Sequence, residues 1–172
     1  MAANVLTPAQ ANLELAILNA EAESMSSADI YAWLKGLGLS DEAAIRLKGI
    51  ADMTAEVGKR VINVGKLVLM KIAEFVKAHP NLAIGVAIGA AIGALVGLIP
   101  WIGPYLAPIA TLIGVTVGAL AGHRIDKTAS GLPHQTGLVA LGQDVIEIAT
   151  LFFKLLADIF NLTLVGATIQ SA

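Results

Sequence analysis

The chain has 172 residues, of which 56% are apolar and only 14% charged, against about 25% charged in an average soluble domain. A mean hydropathy of +0.77 excludes a disordered or collagen-like chain, and a net charge of -2 offers no global attraction to nucleic acid, so no nucleic-acid partner is expected. With no cysteine there is no disulfide scaffold, zinc-thiolate site or thiol nucleophile.

The length predicts one domain over residues 1–172, with an amphipathic helical region (1–80), a hydrophobic hairpin (81–123) and a C-terminal apolar and amphipathic helix (135–172). The first twenty residues contain neither Lys nor Arg, so the basic and continuously apolar parts of a secretory signal are missing. The expectation is a protein made in the cytoplasm without a signal peptide.

Thr7, Pro8 and Gln10 read as N-cap, first helical residue and capping-box partner of a helix running to about Glu23. Residues 24–27 interrupt it. A short helix through Ile30, Tyr31 and Trp33 is predicted to stop at Gly36-Leu37-Gly38, and Ser40 with Asp41 and Glu42 starts the next. From Asp41 to His79 the residues Asp52, Glu56, Lys59, Asn63, Lys66, Glu74 and Lys77 recur at steps of three and four, Met70 filling one gap, which predicts a long amphipathic helix ended by Pro80. Gly49, Gly58 and Gly65 mark places where it bends or divides.

Residues 78 to 123 contain no Asp, Glu, Lys or Arg. Leu82 to Ile99, about 27 Å long as a helix, approaches the roughly 30 Å of a bilayer core and is a membrane-span candidate. Pro100-Trp101-Ile102-Gly103-Pro104 breaks it, and a second apolar stretch from Leu106 to Gly122 returns. Trp101 and Tyr105 stand at the hairpin tip as membrane-interface residues, with Lys71, Lys77, Arg124 and Lys127 at its base. An uncharged tip can cross hydrocarbon without the roughly 2.5 to 3.5 kcal/mol that each Lys, Arg or Asp would add.

Gly85, Gly89, Gly93 and Gly97 are spaced four apart, and Ala110, Gly114, Gly118 and Gly122 repeat the step in the returning arm. Such ladders let two backbones approach closely; they serve helix packing in a buried hairpin or self-association in the membrane.

A linker with Ser130, Gly131, Pro133 and His134 leads to a last helix, about Leu138 to Gly166. On it Gln143, Glu147, Thr150, Lys154, Asp158 and Asn161 form a narrow polar stripe. The stripe is either the solvated edge of a bundle helix or a pore lining. In the second case Asp144, Glu147 and Asp158 against Lys154 favour cations modestly.

Catalysis finds little footing. His79, His123 and His134 lack paired metal-ligand spacing, no phosphate-binding loop is present, and Asp41 stands where a dinucleotide fingerprint after Gly36 and Gly38 needs glycine. The expectation is no enzyme, no metal and no cofactor. Strand signals are weak, so the expected fold is all-α: a helical bundle around a central hydrophobic glycine-zipper hairpin able to insert in a membrane. In water the apolar faces bearing Val61, Val68, Ile72, Phe152, Leu156 and Phe160 are expected to sheath that hairpin, since its exposed arms would aggregate or enter lipid.

Through Gly85, Gly89, Gly93 and Gly97 and the matching Gly114, Gly118 and Gly122, the chain resembles the small glycine-zipper pore-forming effectors exported by bacterial type VI secretion systems. That resemblance implies a secreted antibacterial toxin that inserts in the inner membrane of a recipient bacterium and dissipates its ion gradients. It also implies the lipid bilayer and further copies of the chain as partners, a secretion-tube protein or chaperone for delivery, and a membrane-associated immunity protein in the producer. The alternative from the same motifs is a resident membrane-anchored scaffold whose amphipathic helices bind a partner.

Overall fold

Side-chain caps start the first three helices of the computed structural model, which describes residues 5–82, 84–106, 136–165 and 167–170. Helix α1, Pro8–Glu23, opens on the expected capping box: the Gln10 N–H donates to Thr7 Oγ1 at 3.3 Å and the Thr7 N–H donates to Gln10 Oε1 at 3.0 Å. Helix α2, Ser27–Gly36, repeats the device, with the Asp29 N–H on Ser26 Oγ at 3.1 Å and the Ser26 hydroxyl on the Asp29 carboxylate at 2.6 Å. Those hydroxyl and backbone donors hold the Asp29 carboxyl below the ordinary aspartate range. Helix α3, Asp41–Ala51, starts from Ser40, whose Oγ accepts from the Ala43 N–H at 3.3 Å. Gly38, at φ 81, supplies the left-handed turn between α2 and α3, and Lys35 pairs with Asp41 across it.

The long helix expected from Asp41 to His79 divides, and what divides it is a β-hairpin. Helix α3 ends at Ala51; β1, Thr54–Val57, and β2, Arg60–Ile62, then pair antiparallel in the register Ala55↔Ile62, Glu56↔Val61 and Val57↔Arg60. Gly58 takes φ 62 and no other type of residue has a positive φ among those described, so Gly58-Lys59 is a type II′ turn, which needs glycine at its first central position. A third strand, β3 at Thr168–Gln170, pairs antiparallel with the other edge of β1, Ala55 opposite Ile169, in the order β2-β1-β3. The chain is mostly helical, consistent with the expected all-α class, and carries a small three-stranded sheet beside its helices.

Helix α4, Val64–Ala78, follows at once. Its Gly65 is buried, donates its N–H to the Met53 carbonyl at 3.0 Å, and lies so close to the end of α3 that a Cβ there would overlap the Ile50 carbonyl. Asn19 of α1 fastens the same junction. Its Oδ1 accepts from the Asn63 N–H at 2.8 Å and from Asn63 Nδ2 at 3.2 Å, while its Nδ2 donates to the Val61 carbonyl at 3.5 Å. The Lys66 ammonium donates to the Met25 carbonyl at 2.8 Å, a cation placed just beyond the C-terminal end of α1.

Helix α5, Ile84–Leu98, leads through a 3-10 turn at Pro100–Ile102, and helix α6 spans Thr136–Thr163. The chain forms two compact units, Met1–Lys71 with Lys154–Ala172, and Ile72–Phe153; α4 and α6 each run from one into the other. In the first unit Leu15, Ile30, Leu34, Leu47, Met53, Ala55, Leu67, Phe160 and Leu164 are buried. In the second Phe75 gathers the aromatic side chains, its ring 5.3 Å from Phe152 and 5.6 Å from Phe153. His79 lies 4.4 Å from the Phe75 ring, with its Nδ1–H donating to the Phe75 carbonyl at 2.9 Å.

Among the residues expected to form a sheath, Val68, Ile72, Leu156 and Phe160 are buried and Phe152 is half-buried. Val61 departs from the expectation: it sits on β2 rather than on a helix and is 56% exposed. The strand alternation turns it away from the buried side on which Ile62 lies.

Candidate functional site

Helix α5 is the described part of the apolar segment from 82 to 122 in which function is expected. Pro80 and Pro100 bound it. Ile99, forced out of helical conformation by the proline that follows, has φ -126 and ψ 84. The helix is thus 15 residues long, about 22 Å, shorter than the 18-residue span expected from Leu82 to Ile99. Among the described residues no helix is long and apolar enough to cross a membrane.

Helix α5 is nonetheless buried on most sides. Ala87, Ile88, Ala90, Ala91, Ile92, Ala94 and Leu95 are all at most 3% exposed. The exposed positions are Gly93 and Gly97, consecutive members of the four-residue ladder, and a Cβ added at either meets nothing within 4 Å. Gly89 is buried, and Gly85 lies in the first turn of the helix. The ladder therefore opens outward at its C-terminal half, where among the described residues no neighbouring backbone requires glycine. Ala110, Gly114, Gly118 and Gly122, the returning ladder, lie outside the described residues, as do His123 and His134.

The tip residues fold back on α5, and Gly103 approaches Val96 Cγ1 closely enough that a Cβ there would sit 3.6 Å away. Ile102 and Leu106 are fully buried. Trp101 and Tyr105, expected at a membrane interface, are half-buried, and Pro100 and Pro104 are exposed.

Helix α6 carries the expected polar stripe. At about 100° per residue, Glu147, Thr150, Lys154, Asp158 and Asn161 occupy one arc. Glu147, Lys154 and Asn161 are exposed; Thr150 and Asp158 are half-buried. Thr150 turns its hydroxyl back to the Ile146 carbonyl at 2.7 Å, and Lys154 pairs with Asp158 at 3.4 Å. Gln143 and Asp144 belong to the helix, but their side chains lie outside the described residues. Val145, Ala149, Phe153, Leu156, Phe160 and Leu164 lie on a buried arc. Sequence periodicity missed a third arc: Ile148, Leu151, Leu155 and Leu162 are apolar yet 43 to 68% exposed. Their recurrence at steps of three, four and seven was the signal available.

Among the described residues no cluster of three or more His, Asp and Glu side chains is suited to hold a metal ion. An open groove of about 340 Å³ runs between α1 and β2, lined by Asn12, Leu15, Asn19, Glu23, Arg60 and Val61 among others. Asn19 there is already engaged with Asn63 and Val61, so the groove offers Glu23 and Arg60 as opposite charges without a nucleophile-base pair. No protein-family model, characterised protein or solved structure matches the chain.

Proposed function

We propose that the chain is an antibacterial pore-forming toxin that inserts in the inner membrane of a target bacterium and dissipates its ion gradients. The observation that carries this reading is the charge-free stretch from residue 78 to 123, a length that has no counterpart in ordinary soluble domains. The outward-opening glycines support it, because a helix interior with Gly93 and Gly97 gives up about 0.8 to 1 kcal/mol at each relative to alanine while nothing beside them in the described residues needs the room.

In this reading α5 and the returning arm form the glycine-zipper hairpin, and copies of it associate along the small-residue ladders once in lipid. The 15-residue α5 lengthens into its flanks, or the bilayer thins around it, and the tip at Pro100 to Tyr105 crosses first because it carries no charge. Glu147, Lys154 and Asp158 line the water path, favouring cations by the excess of acid. A secretion-tube protein or chaperone delivers the toxin, and a membrane-associated immunity protein protects the producer.

Expression directed to the periplasm, without any protecting partner, tests the reading in cells. A potential-sensitive dye should report depolarisation within a generation of induction, ahead of loss of viability. Cells that keep their membrane potential while accumulating intact, membrane-bound protein would instead favour a resident anchored scaffold.

A further inference from the structure

Ile148, Leu151, Leu155 and Leu162 fall within about 60° of one another around α6, at about 100° per residue, and Val165 follows just past the helix end. Their exposures are 43, 68, 56, 43 and 80%. Among the described residues the other large exposed aliphatics, Val5, Leu13, Ile17, Ile45 and Val61, are scattered over α1, its leading residue, α3 and β2, with no more than two on one element. Ile148, Leu151, Leu155 and Leu162 form a row on one arc of a long helix, with buried Val145, Ala149, Phe153, Leu156 and Phe160 on another arc. The largest exposed apolar patch on a monomer is often functional even at a few hundred Å².

We propose that this row is the surface by which the folded protein first docks on a lipid bilayer, α6 lying in the interface plane before any hairpin enters. The inference rests on the membrane-acting reading and adds to it the place of first contact. The area of the row chooses lipid over a second copy of the chain. Five partly exposed aliphatic side chains offer at most a few hundred Å² of apolar surface, well short of the roughly 800 Å² per partner that a stable dimer buries. A bilayer interface sets no such threshold of shape matching, and takes a helix whose apolar side sinks between the headgroups while its polar side stays wet.

Charge selects the class of lipid. The arc beside the row holds Glu147 and the Lys154–Asp158 pair, a small acidic excess that gives no attraction to anionic headgroups. Zwitterionic headgroups suit it, with the phosphate near Lys154 and the ammonium near Glu147. Docking should therefore be driven by the apolar row and be insensitive to salt.

The test uses the full chain and phosphatidylcholine vesicles, with flotation as the readout of binding and release of a trapped ion recorded in the same samples. Replacing Leu151→Ser and Leu155→Ser together, both exposed, should leave the circular-dichroism melt unchanged and weaken partitioning by about tenfold or more. A control pair on other elements, Ile45→Ser with Val61→Ser, should bind as the parent does. Substituting part of the phosphatidylcholine by phosphatidylglycerol should not strengthen binding. Equal binding by the Leu151/Leu155 variant, or binding that grows with anionic lipid, overturns the proposal. So does sedimentation showing that the parent self-associates in water through this row while the variant stays monomeric. Parent protein that binds through the row but leaves vesicles tight sustains the docking surface and refutes pore formation, so the two ideas fail separately.

Discussion

Replacing Gly93 or Gly97 by alanine separates what the glycine ladder does in the folded chain from what it does in a membrane. Both positions lie inside α5, both are exposed, and a Cβ at either meets no heavy atom within 4 Å. The only energetic change expected in water is the helix preference of alanine over glycine, about 0.8 to 1 kcal/mol in favour of each variant. For a chain of this size that raises the melting temperature by about 2 to 4 °C per substitution, and the double variant should add nearly independently if no shared neighbour intervenes. If copies of the hairpin pack along this edge in lipid, the same Cβ atoms hold the backbones apart, so the double variant should be more stable yet release ions from vesicles less effectively. Gly65→Ala is the internal contrast, because its Cβ would run into the Ile50 carbonyl, and a displacement of backbone by backbone costs on the order of 3 kcal/mol or more. Urea unfolding followed by far-UV circular dichroism measures all three. A Gly93→Ala or Gly97→Ala protein less stable than the parent would refute the reasoning, since it would mean that something packs on that face of the folded chain.

Gly58→Ala should destabilise by about 1 to 2 kcal/mol, because its φ of 62 is strained for an L side chain even though open space surrounds it; urea unfolding should show the loss and Gly58→Asn a smaller one. Asn19→Ala leaves the half-buried Asn63 N–H without its 2.8 Å acceptor and should cost about 1 to 3 kcal/mol, with Asn19→Asp recovering part of it by keeping an acceptor. Asp29, held below the ordinary aspartate value of about 3.9 by the Ser26 hydroxyl and backbone N–H, stabilises the fold above that pH. The contribution is lost as the pH falls through the lower folded value, so Asp29→Asn should unfold less steeply with acid than the parent in a pH series of melts.

The capping residues Thr7 and Ser40 and the stop at Gly36-Leu37-Gly38 were legible because a cap is a local bond between near neighbours, which sequence spacing encodes directly. The hairpin at Thr54–Ile62 was not. Glu56, Lys59, Asn63 and Lys66 happen to satisfy a helical step of three and four, while strands of four and three residues are too short for alternation to compete. What decides the local structure there is tertiary: β3 arrives from more than a hundred residues away to pair with β1, and Gly65 permits the close approach to Ile50. The same limit applies to the candidate site. Spacing identified Gly93 and Gly97 as one edge of a helix and Glu147, Lys154 and Asp158 as one stripe, but spacing carries no information about what stands opposite. It could not distinguish a glycine edge in contact from one facing open space, nor separate the exposed Ile148, Leu151 and Leu155 from the buried Ala149, Phe153 and Leu156 on the next arc of the same helix.

Pore formation is tested by adding the purified chain to phosphatidylcholine vesicles that hold a potassium gradient and a valinomycin-imposed potential. That potential should collapse with a steep dependence on protein concentration, as oligomerisation requires, and faster with sodium than with a large organic cation outside. Vesicles that keep their potential while flotation shows the intact protein bound to them would contradict it.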